Sequence, residues 1–133
     1  MSAALFALCA RAEVLPSKVY VVANSDDPDS LAIADFYASA RGIPKGNIVG
    51  LPMPKAGKIS KAEYFEKIEN PLVAELAKRG ALKAVKLGGR EPSGREIYSY
   101  VSHDIGFLVL CRGVPWGDEP VAELPRAESP EVI

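Results

Sequence analysis

The sequence predicts an α/β fold, a Rossmann-like or flavodoxin-like three-layer domain with a mainly parallel sheet, of which the chain holds the front part. Two observations lead to it: a strand–helix–strand unit over residues 18–52 and a continuous apolar run at residues 105–111. Parallel strands need a crossover long enough for a helix, and the first unit provides one. We therefore expect both strands of that unit and the later run to be parallel neighbours, with the first strand central.

The first unit carries its own start and stop signals. Residues 19–23 (VYVVA) are β-rich and apolar, and residues 24–30 form a polar turn. A helix is predicted over residues 31–41, capped by Asp29 or Ser30 and ended by Gly42, with a second strand at residues 48–51. Six apolar residues predict a broad stripe that packs on the sheet: Leu31, Ile33, Ala34, Phe36, Tyr37 and Ala38.

A second helix is predicted from Ser60 to Gly80. Ser60 and Glu63 have the spacing of a capping box, and apolar residues continue at helical spacing. Pro71 interrupts the pattern. Either the helix kinks there, or Asn70 caps a new helix with Pro71 in its first turn.

The remainder of the chain is predicted to be mostly strand and extended tail. Residues 82–87 and 97–101 alternate between apolar and polar, which predicts a β-hairpin. The run at 105–111 (IGFLVLC) is typical of a strand buried on both faces. Proline then recurs every five residues from Pro115, so residues 116–133 are predicted to form an extended tail.

Length and composition indicate one α/β domain, over residues 13–115. The chain has 133 residues, 48% of them hydrophobic, and a formal net charge of −1 without a basic stripe. Nucleic-acid binding is therefore not expected. Residues 3–10 are apolar and Ala10-Arg11-Ala12 resembles a cleavage site, so residues 1–12 are interpreted as the remnant of a signal peptide. This predicts an exported protein without a membrane span, because the apolar stretch is too short to cross a bilayer.

The turn after the first strand is the first candidate binding site. It would lie at the carboxyl end of the sheet, where open α/β sheets bind ligands. Its candidate residues are Asn24, Asp26, Asp27 and Asp29. These oxygen-rich side chains could hold Ca²⁺ or Mg²⁺. The alternative is that they form turns and a helix cap.

Arg112 and Trp116 leave the third predicted strand at the same edge, and residues 51–57 leave the second strand there. Together with the first turn they would form a mixed-charge pocket with Trp116 as a wall, suited to a small ligand or a cation. The alternative is an Arg–Asp bridge that joins two loops. No cofactor is evident from the residues.

His103 and Cys111 are the candidates for a Cys–His pair. A caspase-like hydrolase places such a pair at neighbouring strand ends. Here the histidine precedes the strand and the cysteine ends it, so the extended run holds them ~23 Å apart. Cys111 is therefore interpreted as a small buried hydrophobic residue.

A set of scattered motifs resembles an uncharacterised family of exported bacterial proteins of the planctomycete and verrucomicrobial type. The motifs are Asn24, Ser25, Pro28 and Ser30, then Tyr37, Arg41, Gly42, Ile43, Pro44 and Asn47, then Ile59 and Ser60, and finally residues 108–115 (LVLCRGVP). The resemblance covers roughly residues 18–115. It implies an exported α/β domain whose members continue beyond residue 133, and it assigns no catalytic residues.

Three functions follow as expectations. The first is an exported protein that binds a small ligand or cation at the carboxyl edge of its sheet. The second is a caspase-like cysteine hydrolase whose catalytic residues lie beyond Ile133. The third is a structural or interaction module at the cell surface.

Overall fold

A computed structural model describes residues 14–118 of the chain. Short 3₁₀ turns at Pro16–Lys18 and Lys45–Asn47 precede the first two strands. The elements, in chain order, are β1 (Val19–Asn24), α1 (Pro28–Arg41), β2 (Ile48–Leu51), β3 (Lys58–Ile59), α2 (Lys61–Tyr64), a π-helical segment (Phe65–Glu69), α3 (Asn70–Lys78), β4 (Leu82–Arg90), β5 (Glu96–His103), β6 (Phe107–Leu110) and β7 (Gly117–Asp118).

The central sheet is parallel, with the strand order β2–β1–β6. Val21 of β1 pairs with Ile48 of β2 on one side and with Val109 of β6 on the other. The predicted α/β class and the central position of β1 are confirmed. The carboxyl ends of the three strands therefore lie along one edge.

Helices pack on both faces of this sheet. Val21 and Ala23 pack in a cluster that includes α1, whereas Tyr20 and Val22 pack in a second cluster with residues of the π-helical segment and α3. Successive side chains of a strand point to opposite faces, so the uninterrupted apolar sequence of β1 fits a strand covered on both sides.

The cap of α1 differs from the prediction. Asp27 is the N-cap, and its side chain accepts a hydrogen bond from the backbone N–H of Asp29, so Asp29 and Ser30 are inside the helix. Pro28 explains the earlier start, because its fixed φ and missing N–H suit the first helical position. At the other end, Gly42 adopts the left-handed conformation with φ of 65°, as predicted.

The buried face of α1 is narrower than predicted. Its buried residues are Ser30, Ala34 and Ala38, which are spaced by one helical turn. Leu31 and Ile33 are partly exposed and Phe36 is 76% exposed, so the predicted broad apolar stripe is wrong at these positions. The residues that α1 buries all have small side chains, whereas the larger Leu31, Ile33 and Phe36 remain exposed.

The capping box before α2 is present. The Ser60 hydroxyl oxygen accepts from the Glu63 backbone N–H at 3.2 Å, and the Glu63 carboxylate accepts from the Ser60 backbone N–H at 3.0 Å. The carboxylate also accepts from the Ser60 hydroxyl at 3.0 Å, and the two bonds donated to it by the Ser60 N–H and hydroxyl lower the pKa of Glu63 below its usual value. The start of the second helix is thus confirmed.

Replacing Ser60 by alanine is expected to destabilise the domain by ~1 kcal/mol, because the Glu63 backbone N–H loses its side-chain acceptor. Urea-induced unfolding followed by circular dichroism measures the change. Ser39→Ala is a matched control, since Ser39 is exposed near the far end of α1. Equal midpoints for the two variants would show that the box contributes nothing.

Asn70 is not the N-cap of a new helix: α3 begins at Asn70 itself, after Glu69 in the helical conformation, and Pro71 lies in its first turn. The helical conformation continues from α2 to α3 through the π-helical segment, in which the Asn70 N–H donates to the Phe65 carbonyl oxygen. The Asn70 side chain reaches the hairpin instead: it donates to the Gly94 carbonyl at 3.0 Å and accepts from the Glu96 N–H at 3.0 Å. The extra residue in the π-turn accommodates a position where proline has no N–H to donate.

Strands β4 and β5 form the predicted antiparallel hairpin, separate from the parallel sheet. Its Glu96 carboxylate accepts from Lys86, Arg90 and the Tyr98 hydroxyl, and these contacts lower the pKa of Glu96 to about 2. The hairpin is thus held both by Asn70 and by its own charged side chains.

The prediction that β6 is buried on both faces is wrong for the described part of the chain. Phe107, Leu108 and Leu110 are 57%, 44% and 61% exposed. The reason is position: β6 is at the edge of the described sheet, with β1 as its only neighbour. Its apolar composition therefore leaves an exposed hydrophobic margin.

The prediction of an extended tail from residue 116 is wrong for residues 116–118. Trp116 donates its backbone N–H to the Gly57 carbonyl oxygen at 2.9 Å, and β7 then pairs in parallel with β3. Gly117 and Asp118 can pair because neither is proline. The rest of the predicted tail and the predicted signal peptide lie outside the described residues. Within residues 14–118, no helix has the length and hydropathy needed to cross a membrane.

Candidate functional site

Three loops meet at the carboxyl edge of the sheet, and Asn24 holds them together. This side chain is fully buried at the end of β1. Its Nδ2 donates to the carbonyl oxygens of Met53, at 3.1 Å, and Gly113, at 3.0 Å. Its Oδ1 accepts from the backbone N–H groups of Asp26, at 3.0 Å, and Met53, at 3.1 Å. With all four bonds formed, the amide joins the loops and does not face the surface.

A cleft of about 830 Å³ opens beside these loops. Of the residues predicted for the site, Asp27, Arg112 and Trp116 line it, and residues 55–57 of the loop after β2 form another wall. Asn24, Asp26 and Asp29 are not among the lining residues. The structure therefore brings Asp27, from the turn after β1, together with Arg112 and Trp116, from the loop after β6. This agrees with the predicted shared edge.

The acidic residues of the first turn take part in its backbone structure, and the Asp27 carboxylate caps α1. Asp26 closes a turn by donating its N–H to Asn24, and Asp27 caps α1 through Asp29. No three histidine, cysteine, aspartate or glutamate residues within the described range are grouped so that they could hold a metal ion. The arrangement gives no support to the Ca²⁺ or Mg²⁺ alternative, and it matches the turn-and-cap alternative.

Arg112 makes no ion pair with Asp26, Asp27 or Asp29, so the predicted bridge between the loops is wrong. Arg112 and Lys55 both line the cleft, and neither forms a hydrogen bond or an ion pair with any residue that the structure describes. The loops are joined by neutral hydrogen bonds through Asn24, which leaves both cations available.

Trp116 forms an exposed aromatic wall. Its side chain is 78% exposed, and its indole edge lies against Gly57, where an added Cβ would be 2.9 Å from the ring nitrogen. The Lys58 ammonium lies 5.5 Å from the ring centroid, within the range of a cation–π contact. The loop after β2 therefore supports the ring from its edge.

Lys55 and Leu110 are lining residues that sequence reasoning missed. Lys55 belongs to the loop that was predicted to reach this edge, and its charge was the signal that could have singled it out. Leu110 was assigned to a buried strand, whereas it is 61% exposed and lines the cleft. Together with Trp116 it gives the cleft an apolar side.

Cys111 is buried, as predicted, in the cluster that α1 covers. Burial raises the pKa of its thiol, which favours the unreactive protonated form. His103, the single histidine of the chain, closes β5 before the run that leads into β6 and does not line the cleft. The described residues therefore supply no Cys–His pair at the cleft.

Comparison of the chain with protein-family models, with curated proteins and with solved structures found no match. The resemblance to exported planctomycete and verrucomicrobial proteins remains a prediction from the motifs.

Proposed function

We propose that this protein is an exported, Rossmann-like or flavodoxin-like domain that binds a small organic molecule in the cleft at the carboxyl edge of its sheet. The strand order β2–β1–β6 with helices on both faces supports the finer fold assignment. The apolar residues 3–10 and the Ala10-Arg11-Ala12 site support export.

One observation carries the proposal. Arg112 and Lys55 line an open cleft beside the exposed Trp116 ring, and neither has a counter-ion among the described residues. Its volume, about 830 Å³, lies within the size range of small-molecule sites. A loop contact with only a structural role would place these cations against the neighbouring aspartates. The caspase-like alternative has less support, because Cys111, although it lines the cleft, is buried and His103 does not line it.

Binding can be measured directly because Trp116 is the only tryptophan in the chain. We expect its fluorescence to change, saturably, when single-ring compounds such as 2-phenylethanol, phenylacetate and phenethylammonium are titrated. Ala56→Phe should weaken the response of every compound that binds, since Ala56 is exposed and lines the cleft.

Ala40→Phe is the matched control, because Ala40 is exposed near the C-terminal end of α1, away from the cleft. It should leave every titration unchanged. Linear, non-saturating fluorescence changes with all three compounds, unaffected by Ala56→Phe, would contradict small-molecule binding in this cleft.

A further inference from the structure

We propose that the ligand of the cleft is an aromatic organic anion, with its charged group held by Arg112 and Lys55 and its ring placed against Trp116 and Leu110. This inference rests on the proposed function and specifies the chemical class of its ligand. Both a carboxylate and a phosphate monoester have the required chemistry, and the test below separates them.

The charge of the cleft favours an anion. Its ionised lining residues are two cations, Lys55 and Arg112, and one anion, Asp27, although the whole chain has a net charge of −1. A guanidinium group presents a planar fork of donors that matches carboxylate and phosphate oxygens. An ammonium group on a second loop adds a flexible point charge beside it.

The single acidic lining residue does not offset this preference. One carboxylate oxygen of Asp27 accepts from the backbone N–H of Asp29 at the start of α1. The other lies beside Gly113, where an added Cβ would be 2.7 Å away. Asp27 is thus engaged in capping the helix and in packing against the third loop. Arg112 and Lys55 have no such partner in the described chain.

The apolar side of the cleft favours a ring. Trp116 and Leu110 are 78% and 61% exposed and line the same cleft, so a flat hydrophobic group could cover both. Aromatic rings stack or meet edge to face with gains beyond the area that they bury. A small inorganic anion would leave this wall in contact with water.

A cationic ligand is the main rival, because an exposed indole ring can also bind an ammonium group. Lys58 already occupies a position 5.5 Å from the ring centroid. Lys55 and Arg112 would repel a second cation, and Asp27 is engaged as the helix cap. The surroundings of Trp116 therefore oppose this alternative.

The test compares probes that share one skeleton: phenylacetate, neutral 2-phenylethanol and cationic phenethylammonium, with cyclohexylacetate for the ring and phenyl phosphate for the anion. Trp116 fluorescence reports binding. We expect phenylacetate or phenyl phosphate to bind at least ~10-fold more tightly than 2-phenylethanol, as expected for a charge-assisted contact. The tighter of the two identifies the anionic group. Cyclohexylacetate should bind more weakly than phenylacetate.

Variants assign the contacts. Arg112→Gln should lower the affinity for the anionic probes ~10-fold and leave that for 2-phenylethanol unchanged, and Lys55→Gln should act in the same direction. Arg41→Gln and Lys78→Gln are the matched controls, since both residues lie at helix C-terminal ends outside the cleft. Added salt should weaken anion binding, because exposed charges are screened.

The possible failures are distinguishable. If neither phenylacetate nor phenyl phosphate binds more tightly than 2-phenylethanol, and Arg112→Gln changes none of these affinities, the anionic class is overturned while binding in the cleft stands. Tightest binding of phenethylammonium would overturn it in favour of a cation. If cyclohexylacetate binds as tightly as phenylacetate, the ligand does not need an aromatic ring. If none of the compounds binds, the proposed function itself fails.

Discussion

Replacing Asn24 by alanine is expected to lower the free energy of unfolding by about 3–4 kcal/mol, since it removes one side chain that four backbone groups need as a partner. Those groups belong to Asp26, Gly113 and, through both its N–H and its carbonyl, Met53. Because Asn24 is fully buried, water does not replace the lost hydrogen bonds without opening the loops. Chemical denaturation followed by circular dichroism gives the free energy.

Asn47→Ala is the matched control for this substitution. The Asn47 amide also donates two hydrogen bonds, to the carbonyl oxygens of Ser17 and Val19, but at a more exposed position. Its loss should cost about 1 kcal/mol, because water can reach the freed carbonyl of Ser17. If the free energy of unfolding falls by the same amount in both variants, Asn24 does not hold the loops of the carboxyl edge together.

The parts of the fold that follow from local chemistry were predictable from the sequence. The strand–helix–strand unit, the capping box at Ser60 and the left-handed Gly42 each depend on residues within one or two turns of chain. The parallel order around β1 followed from the length of the connections. Such features need no knowledge of distant residues.

Burial was less predictable, because it depends on which elements become neighbours. The apolar run of β6 looks like a central strand, but a strand at the edge of a sheet can have the same composition. Likewise α1 contacts the sheet through Ser30 and Ala38, whereas the larger Phe36 remains exposed. A ranking of these residues by hydrophobicity alone would predict Phe36 to be the most buried, whereas it is the most exposed of the three.

The location of the cleft was predictable from the sequence, but the full set of side chains that line it was not. The rule for open α/β sheets located the edge, and Arg112 and Trp116 do line the cleft there. Asn24 looks like any polar turn residue in the sequence, and its role depends on partners 29 and 89 positions away. The position of Pro28 was a usable signal for the Asp27 cap, because proline favours the first helical turn.

Gly113→Ala is expected to destabilise the domain by about 2–3 kcal/mol and to weaken ligand binding, because the new side chain strains the backbone and meets α1. Gly113 has φ of 92°. A Cβ there would lie 2.7 Å from the Asp27 carboxylate and 3.2 Å from the Ser30 Cβ. Ser30 is fully buried and accepts from the Asn24 N–H, so it has little room to move. The loop that carries Arg112 must shift instead.

Alanine substitutions at two other glycines separate the effect of backbone strain from that of the steric contact with α1. Gly42 has φ of 65° with open space around it, so Gly42→Ala should show the backbone strain alone, about 1 kcal/mol. Gly46 has open space and no positive φ, so Gly46→Ala should be neutral or slightly stabilising. Urea unfolding ranks the three variants, and phenylacetate titration followed by Trp116 fluorescence measures binding. The contact with α1 makes Gly113→Ala the most destabilising and the only one that weakens the titration. If Gly113→Ala matches Gly42→Ala in both measurements, the steric contact between the Arg112 loop and the start of α1 does not shape the cleft.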